Sequence, residues 1–113
     1  MALTVSQLFS ALQLPSSAAV LFSMPTAPAS SVLKNGRVRL TNTSASAVPV
    51  TLYADTAANA SGVENCCLSA VSIAASAYLD VDIPTLKAGD TLRGFAGTAN
   101  VVTMHELGGV IYS

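Results

Sequence analysis

Charge is scarce in this chain of 113 residues. Only 10% of the residues are charged, where ordinary globular domains carry about a quarter. The five basic and six acidic residues leave a net charge of -1, so the dense cationic surface that phosphate binding needs is missing and no nucleic-acid partner is expected. A surface covered mainly by Ser, Thr, Ala and Asn repels identical copies only weakly, which favours assembly into a homo-oligomer.

Long apolar runs are also lacking. No stretch approaches the roughly 20 apolar residues of a membrane span, so no membrane partner is expected. A secretory signal peptide would need a cationic start, whereas the first basic residue is Lys34. We therefore expect a protein that is assembled in a reducing cytoplasm and is not secreted.

Residues that carry catalysis are rare. His105 is the only histidine, and no Gly-x-Ser-x-Gly nucleophile elbow occurs. The sequence therefore predicts a protein that is not an enzyme, with His105 an ordinary strand residue.

Metal ligands are scarce too. Zinc needs several Cys and His ligands, and the chain offers one His and two adjacent cysteines, Cys66 and Cys67. Calcium bound by acidic side chains is a weaker alternative, since their spacing matches no EF-hand loop; the candidates are Asp80, Asp82, Asp90 and Glu106. We predict no metal and no other cofactor.

The adjacent cysteines cannot close an ordinary disulfide loop. On a strand their side chains would point to opposite faces. We interpret them as two reduced thiols, with a strained vicinal disulfide or a redox role as the alternative.

What the chain does have is alternation of apolar and polar residues with period two. The clearest case is residues 78–83, where Leu79, Val81 and Ile83 alternate with polar residues and Pro84 ends the run. In residues 66–73, Leu68 is out of phase with the apolar residues that follow, which predicts a bulge. The predicted strands are 18–24, 37–42 after a turn at Asn35-Gly36, 48–54, 66–73, 78–83, 91–96 and 101–107, with 110–112 closing the chain.

About eight short strands without a strong helix are typical of an all-β antiparallel β-sandwich. A jelly roll and an immunoglobulin-like Greek key fit this pattern equally, and it does not separate them. We predict a β-sandwich domain over residues 18–113.

Residues 1–17 differ from the rest because their apolar positions do not alternate. We predict an N-terminal arm or a short helix that Pro15 ends. As an arm it would pack on a neighbouring subunit, and the predicted interface residues are Leu8, Phe9 and Leu12. The alternative is a cover for one end of its own sandwich.

Sugar binding is a weaker alternative. The chain has no Trp and only 5% aromatic residues, whereas sugar platforms stack on exposed aromatic rings. Tyr53 and Tyr78 are the candidates that face outward. The triplets beginning at Asn42 and Asn59 match the glycosylation sequon, but Ser- and Thr-rich sequences match it by chance.

Four segments resemble a group of small tailed-bacteriophage virion proteins: 19–25 (AVLFSMP), 39–53 (RLTNTSASAVPVTLY), 86–93 (LKAGDTLR) and 97–103 (GTANVVT). The resemblance spans about residues 18–110. The group closes on a strand ending Ser-Gly-Val-Glu, from which this chain departs in residues 106–112. These motifs describe strands and turns, and the group has no active-site residues to transfer.

The resemblance implies a structural component of a virion. The first reading is a capsid decoration, or cement, protein that binds and stabilises the shell of major capsid protein as a dimer or trimer. A tail or fibre-associated adaptor module and a carbohydrate-binding β-sandwich are the alternatives.

Overall fold

The computed structural model describes residues 3–4, 9–27, 29–56 and 65–112. Leu8, one of the three predicted interface residues, lies outside these ranges, as does the sequon at Asn59. Within the described ranges the strands are β1 (Leu3–Thr4), β2 (Leu12–Gln13), β3 (Ala19–Ser23), β4 (Val32–Asn42), β5 (Val48–Asp55), β6 (Cys66–Ile73), β7 (Tyr78–Asp82), β8 (Leu86–Lys87), β9 (Thr91–Ala96) and β10 (Val102–Tyr112).

The strands form two antiparallel sheets packed as a β-sandwich, which confirms the predicted fold class. In the front sheet the order is β1-β10-β4-β7, with β2 also paired to β10 and β8 also paired to β4. In the back sheet the order is β3-β9-β5-β6. The chain changes sheet between β2 and β3, and again at each step from there to β5.

Alternating side chains of the two sheets fill the core. Val38 and Leu40 of β4 are fully buried, as are Val50 and Leu52 of β5. Because successive residues of a strand point to opposite faces, the residues between them lie on the outer faces of the sandwich.

The predicted turn at Asn35-Gly36 is wrong. Both residues lie inside β4, which runs unbroken from Val32 to Asn42. Asn35 has a φ of 57°, and the pairing of β4 with β10 shifts register here. An Asn-Gly pair can serve a bulge as well as a hairpin, since Asn tolerates the left-handed region and Gly lacks a side chain.

The bulge predicted in β6 is confirmed. Leu52 pairs with Leu68 and Val50 with Val71, so β6 carries an additional residue between these pairs. Ala70, within this stretch, has a φ of 46°.

The short helix considered for the N-terminal segment is not formed in residues 9–17. Leu12 belongs to β2 and pairs with Met104 of β10. Leu14 is completely buried, and Phe9 and Leu12 pack against the same core. Apolar residues of this segment thus cover the core of their own chain, because the pairing of β2 with β10 places them against it. A further contact of Phe9 and Leu12 with a neighbouring subunit stays a prediction.

Candidate functional site

The outer face of the front sheet, here called the front face, carries most of the described charged side chains. Since Val38 and Leu40 point into the core, Arg37, Arg39 and Thr41 of β4 point outward. Their cross-strand partners on β7 are, in the same order, Asp82, Asp80 and Tyr78. Two adjacent strands therefore place two cations directly opposite two carboxylates.

Arg39 and Asp80 form the tighter of these two ion pairs. The Arg39 Nε and Nη2 atoms donate to the two carboxylate oxygens over 2.7 and 3.0 Å. The hydrogen bonds from Arg39 lower the pKa of Asp80 below its ordinary value. This pair therefore stabilises the fold above the carboxyl's unfolded pKa of about 4, and its contribution is lost as the pH falls through the lower folded value.

Arg37 and Asp82 are held more loosely. Their nearest atoms are 3.4 Å apart, and the side chains are 55% and 87% exposed. An ion pair this open to water contributes little, because solvent screens it and both side chains lose rotamer freedom.

Tyr78 is the most exposed aromatic ring on the front face, at 60%. The Arg39 guanidinium lies 4.2 Å from the ring centroid, which is within the range of a cation–π interaction. Asp80 and Tyr78 therefore both contact the Arg39 guanidinium and hold it in place.

His105 lies on β10 directly across from Arg39. Its neighbour is therefore a cation that already has its own carboxylate. A catalytic imidazole is oriented by a hydrogen-bonded carboxylate, and among the described residues no carboxylate is hydrogen-bonded to His105.

Three of the four acidic side chains considered for calcium are engaged within the chain. Asp80 and Asp82 pair with arginines, and Asp90 Oδ2 accepts the Lys87 backbone N–H over 2.9 Å. In the described ranges, no group of three or more His, Cys, Asp or Glu side chains is placed to hold a metal ion.

The back sheet has a third ion pair, which is far less accessible. Arg93 Nε donates to Asp55 Oδ2 over 2.9 Å, and the Asp55 side chain is only 3% exposed. Asp55 is the last residue of β5. The pair joins the end of β5 to β9, and its burial suits a structural role more than a binding role.

The two cysteines are free and lie in β6. Cys66 pairs with Tyr53, while Cys67 packs against the core, with its Sγ 3.6 Å from the Leu52 carbonyl oxygen. Burial raises the pKa of the Cys67 thiol. A raised pKa reduces the reactive thiolate at neutral pH, which argues against a nucleophilic role for Cys67.

Asn42 is buried completely and organises one end of the sandwich. Its Nδ2 donates to the carbonyls of Ser46 and Ile73 over 2.8 and 3.0 Å, with Ala74 O at 3.3 Å. Its Oδ1 accepts from the backbone N–H and the hydroxyl of Ser44. A side chain so enclosed cannot accept a glycan, so this sequon match is structural.

Sequence reasoning identified Tyr78 and His105 but missed the pairing of Arg39 with Asp80 and the buried Asp55. The first pairing had a signal, since 37–39 and 78–82 each show charged or aromatic residues at every second position. No local pattern indicates that Asp55 and Arg93 meet, because 38 residues separate them.

No protein-family model, curated protein or solved structure matches this chain at a significant level. In the described part of the chain, no helix has the length and apolar character needed to cross a membrane.

Proposed function

We propose that this protein is a structural component of a tailed-phage virion, a decoration or cement protein that binds the major capsid protein and acts as a homo-oligomer. The observation that carries the proposal is the strand order of the sandwich. It supports a jelly roll, an architecture that recurs in viral capsid proteins and lectins.

The case for a jelly roll rests on how the chain moves between the sheets. One sheet has the order β1-β10-β4-β7, with β2 also paired to β10, and the other has the order β3-β9-β5-β6. Each sheet therefore mixes early and late strands. Two interlocked Greek keys produce this order. In the immunoglobulin arrangement, by contrast, the first two strands are neighbours in one sheet.

The front face has the composition of a protein-binding surface. Tyr78 and Leu107 are 60% and 43% exposed, and Arg39 is fixed between Tyr78 and Asp80. Tyrosine and arginine are enriched at the energetic centres of interfaces, and a fixed side chain loses little entropy on binding. We therefore assign the capsid-facing surface to the front face.

The direct test mixes purified protein with expanded, undecorated phage heads and measures co-sedimentation, after light scattering has given its mass in solution. A dimer or trimer that sediments with heads supports the proposal. Tyr78→Ala and Leu107→Ser should each weaken head binding severalfold, because they remove the exposed anchors of the front face.

Val20→Ser is the matched control, because Val20 is 47% exposed but belongs to β3 of the back sheet. It should leave head binding unchanged. A monomer that ignores heads would contradict the cement proposal and favour a tail or fibre-associated adaptor, which tail assembly assays would then test.

Carbohydrate binding is the second candidate, and the exposure of Tyr78 favours it. With Arg39 against the ring, the exposed remainder of Tyr78 is available to stack on a sugar. Binding on a glycan array that disappears in Tyr78→Ala, without head binding by the wild-type protein, would establish this candidate over the first. Tyr53 is a poorer platform, since it is half-buried between Arg93 and Cys66.

A further inference from the structure

The bulge at Asn35 shapes a trough on the front face. One depression lies between Lys34, Asp82 and Thr85, and a second lies between Lys34, Val32 and Tyr112. Lys34 and Asn35 line both, so the two depressions meet at these residues. We call this trough the Lys34 groove.

The charges of the groove are out of balance with the rest of the protein. It contains two cations, Lys34 and Arg37, against the single carboxylate of Asp82, although the whole chain carries -1. Among the described residues, no carboxylate lies within ion-pair distance of Lys34 or of Lys87, whereas Arg37, Arg39 and Arg93 each have one.

Arg37 is also available to a ligand. Its pair with Asp82 is 3.4 Å long and open to solvent on both sides, so exchanging Asp82 for another carboxylate costs little. Arg39, by contrast, is held by two short hydrogen bonds. The groove therefore offers two cations on β4, one on each side of the bulge. Lys34 has no carboxylate among the described residues, and Arg37 is only weakly paired.

We propose that the Lys34 groove binds an extended acidic segment of another protein, with Lys34 and Arg37 contacting its carboxylates. The groove crosses from the link after β7 to β10, about two strand spacings or roughly 10 Å. That length accommodates three or four residues of extended chain. Val32 and Tyr112 add an apolar wall, which suits a peptide better than a bare inorganic anion.

This inference goes beyond the proposed function and holds whether or not the protein coats a capsid. Its probe is a peptide of six glutamates, titrated at low salt into the isotope-labelled full chain while backbone amide shifts are followed by NMR. We expect shifts centred on Lys34, Asn35 and Gly36 that weaken as salt is added.

Lys34→Ala should reduce affinity for the peptide about three- to fivefold, the worth of one exposed charge pair. Lys34→Arg is the matched control, because it keeps the positive charge at the same place in the groove. It should bind the peptide like the wild-type protein.

Three results would overturn the proposal: equal loss in Lys34→Ala and Lys34→Arg, shifts centred away from the groove, or inorganic phosphate reproducing the peptide's shifts at the same concentration. The first would show that the charge of Lys34 does not bind the peptide, the second that the peptide binds elsewhere, and the third that the groove is a simple anion site. Head co-sedimentation is measured separately, so failure here leaves the capsid proposal intact, and the reverse also holds.

Discussion

The two ends of β4 treat their polar groups in opposite ways. At one end, the buried side-chain amide of Asn42 makes five hydrogen bonds, to the segment 44–46 and to residues 73–74 at the end of β6. At the other end, the strand bulges at Asn35, Lys34 has no carboxylate among the described residues, and the buried Ser31 hydroxyl is without a hydrogen-bond partner in the same ranges. The difference teaches that one end of this strand holds the fold together, while the other leaves polar groups without partners in these ranges, of which Lys34 is exposed and can reach a ligand.

The largest effect is expected where the polar network is complete. Asn42→Ala should lower the free energy of unfolding by about 4 kcal/mol, because the buried Ile73 carbonyl, two part-buried carbonyls and the Ser44 groups lose their partner at once. Denaturant unfolding measures this. Thr43→Ala is the control, since the Thr43 hydroxyl makes one exposed hydrogen bond, to Val101 O; it should cost less than about 1 kcal/mol. Equal losses of unfolding free energy in the two variants would show that the hydrogen bonds of Asn42 do not stabilise this end of the sandwich.

The Asn42 end is also where the N-terminal segment is anchored. The Leu14 N–H donates to Val102 O, and the Leu14 carbonyl accepts from Asn100 N–H, while Val102 itself pairs with Asn42. Leu14→Ala should cost about 3 kcal/mol through loss of buried area and the cavity left behind.

Leu12→Ala provides the comparison, because Leu12 is only half-buried. Leu12→Ala should lower the free energy of unfolding by about 1 kcal/mol, because the Leu12 side chain buries less apolar area than that of Leu14. If Leu14→Ala were as mild as Leu12→Ala, the segment would be a detachable arm after all, as its irregular pattern predicts.

The strands with simple alternation could be predicted from sequence almost to the residue. Val48, Val50 and Leu52 face the core as expected, and β9 begins and ends where its pattern indicates. The pattern is less informative at the bulge of β4, where Asn35-Gly36 predicts a turn. The same dipeptide supplies a left-handed residue to a turn or to a bulge, so the sequence does not distinguish the two.

The candidate surfaces were less predictable, because they depend on which strands become neighbours. Tyr78 faces outward as its phase indicates, but its contact with Arg39 follows from the pairing of β4 with β7. The Lys34 groove needs the bulge, β10 and the link after β7 together, and these are distant in sequence. The inward packing of Phe9 is also not predictable from the sequence, because it depends on β3. The Phe9 ring packs against that of Phe22 in β3, with the centroids 5.8 Å apart.

A moderate effect is expected at the bulged end, from a residue that the bulge requires. A Cβ added at Gly36 would lie 3.1 Å from Leu33 Cδ2 and 3.2 Å from Ile83 Cβ. Gly36→Ala should therefore destabilise the fold by about 1 to 2 kcal/mol through overpacking. It should also reduce binding of the acidic peptide by distorting the groove.

Gly108→Ala is the matched control for this variant, since Gly108 sits opposite Arg37 at the same irregularity and a Cβ there meets nothing within 4 Å. It should change stability by less than about 0.5 kcal/mol. Loss of stability in Gly108→Ala but not in Gly36→Ala would mean that the front sheet is packed differently at this end.

The smallest effect should have the opposite sign. Ser31 is 1% exposed and its Oγ lacks a partner in the described ranges, so the folded state carries the cost of a desolvated hydroxyl. Ser31→Ala removes that cost and should raise the free energy of unfolding by about 1 kcal/mol, whereas Ser30→Ala, at an exposed position, should leave it unchanged. Thermal unfolding of both variants measures the difference. A loss of stability in Ser31→Ala would show that its hydroxyl is bonded, and the contrast between the saturated and unsaturated ends of β4 would then rest on Lys34 alone.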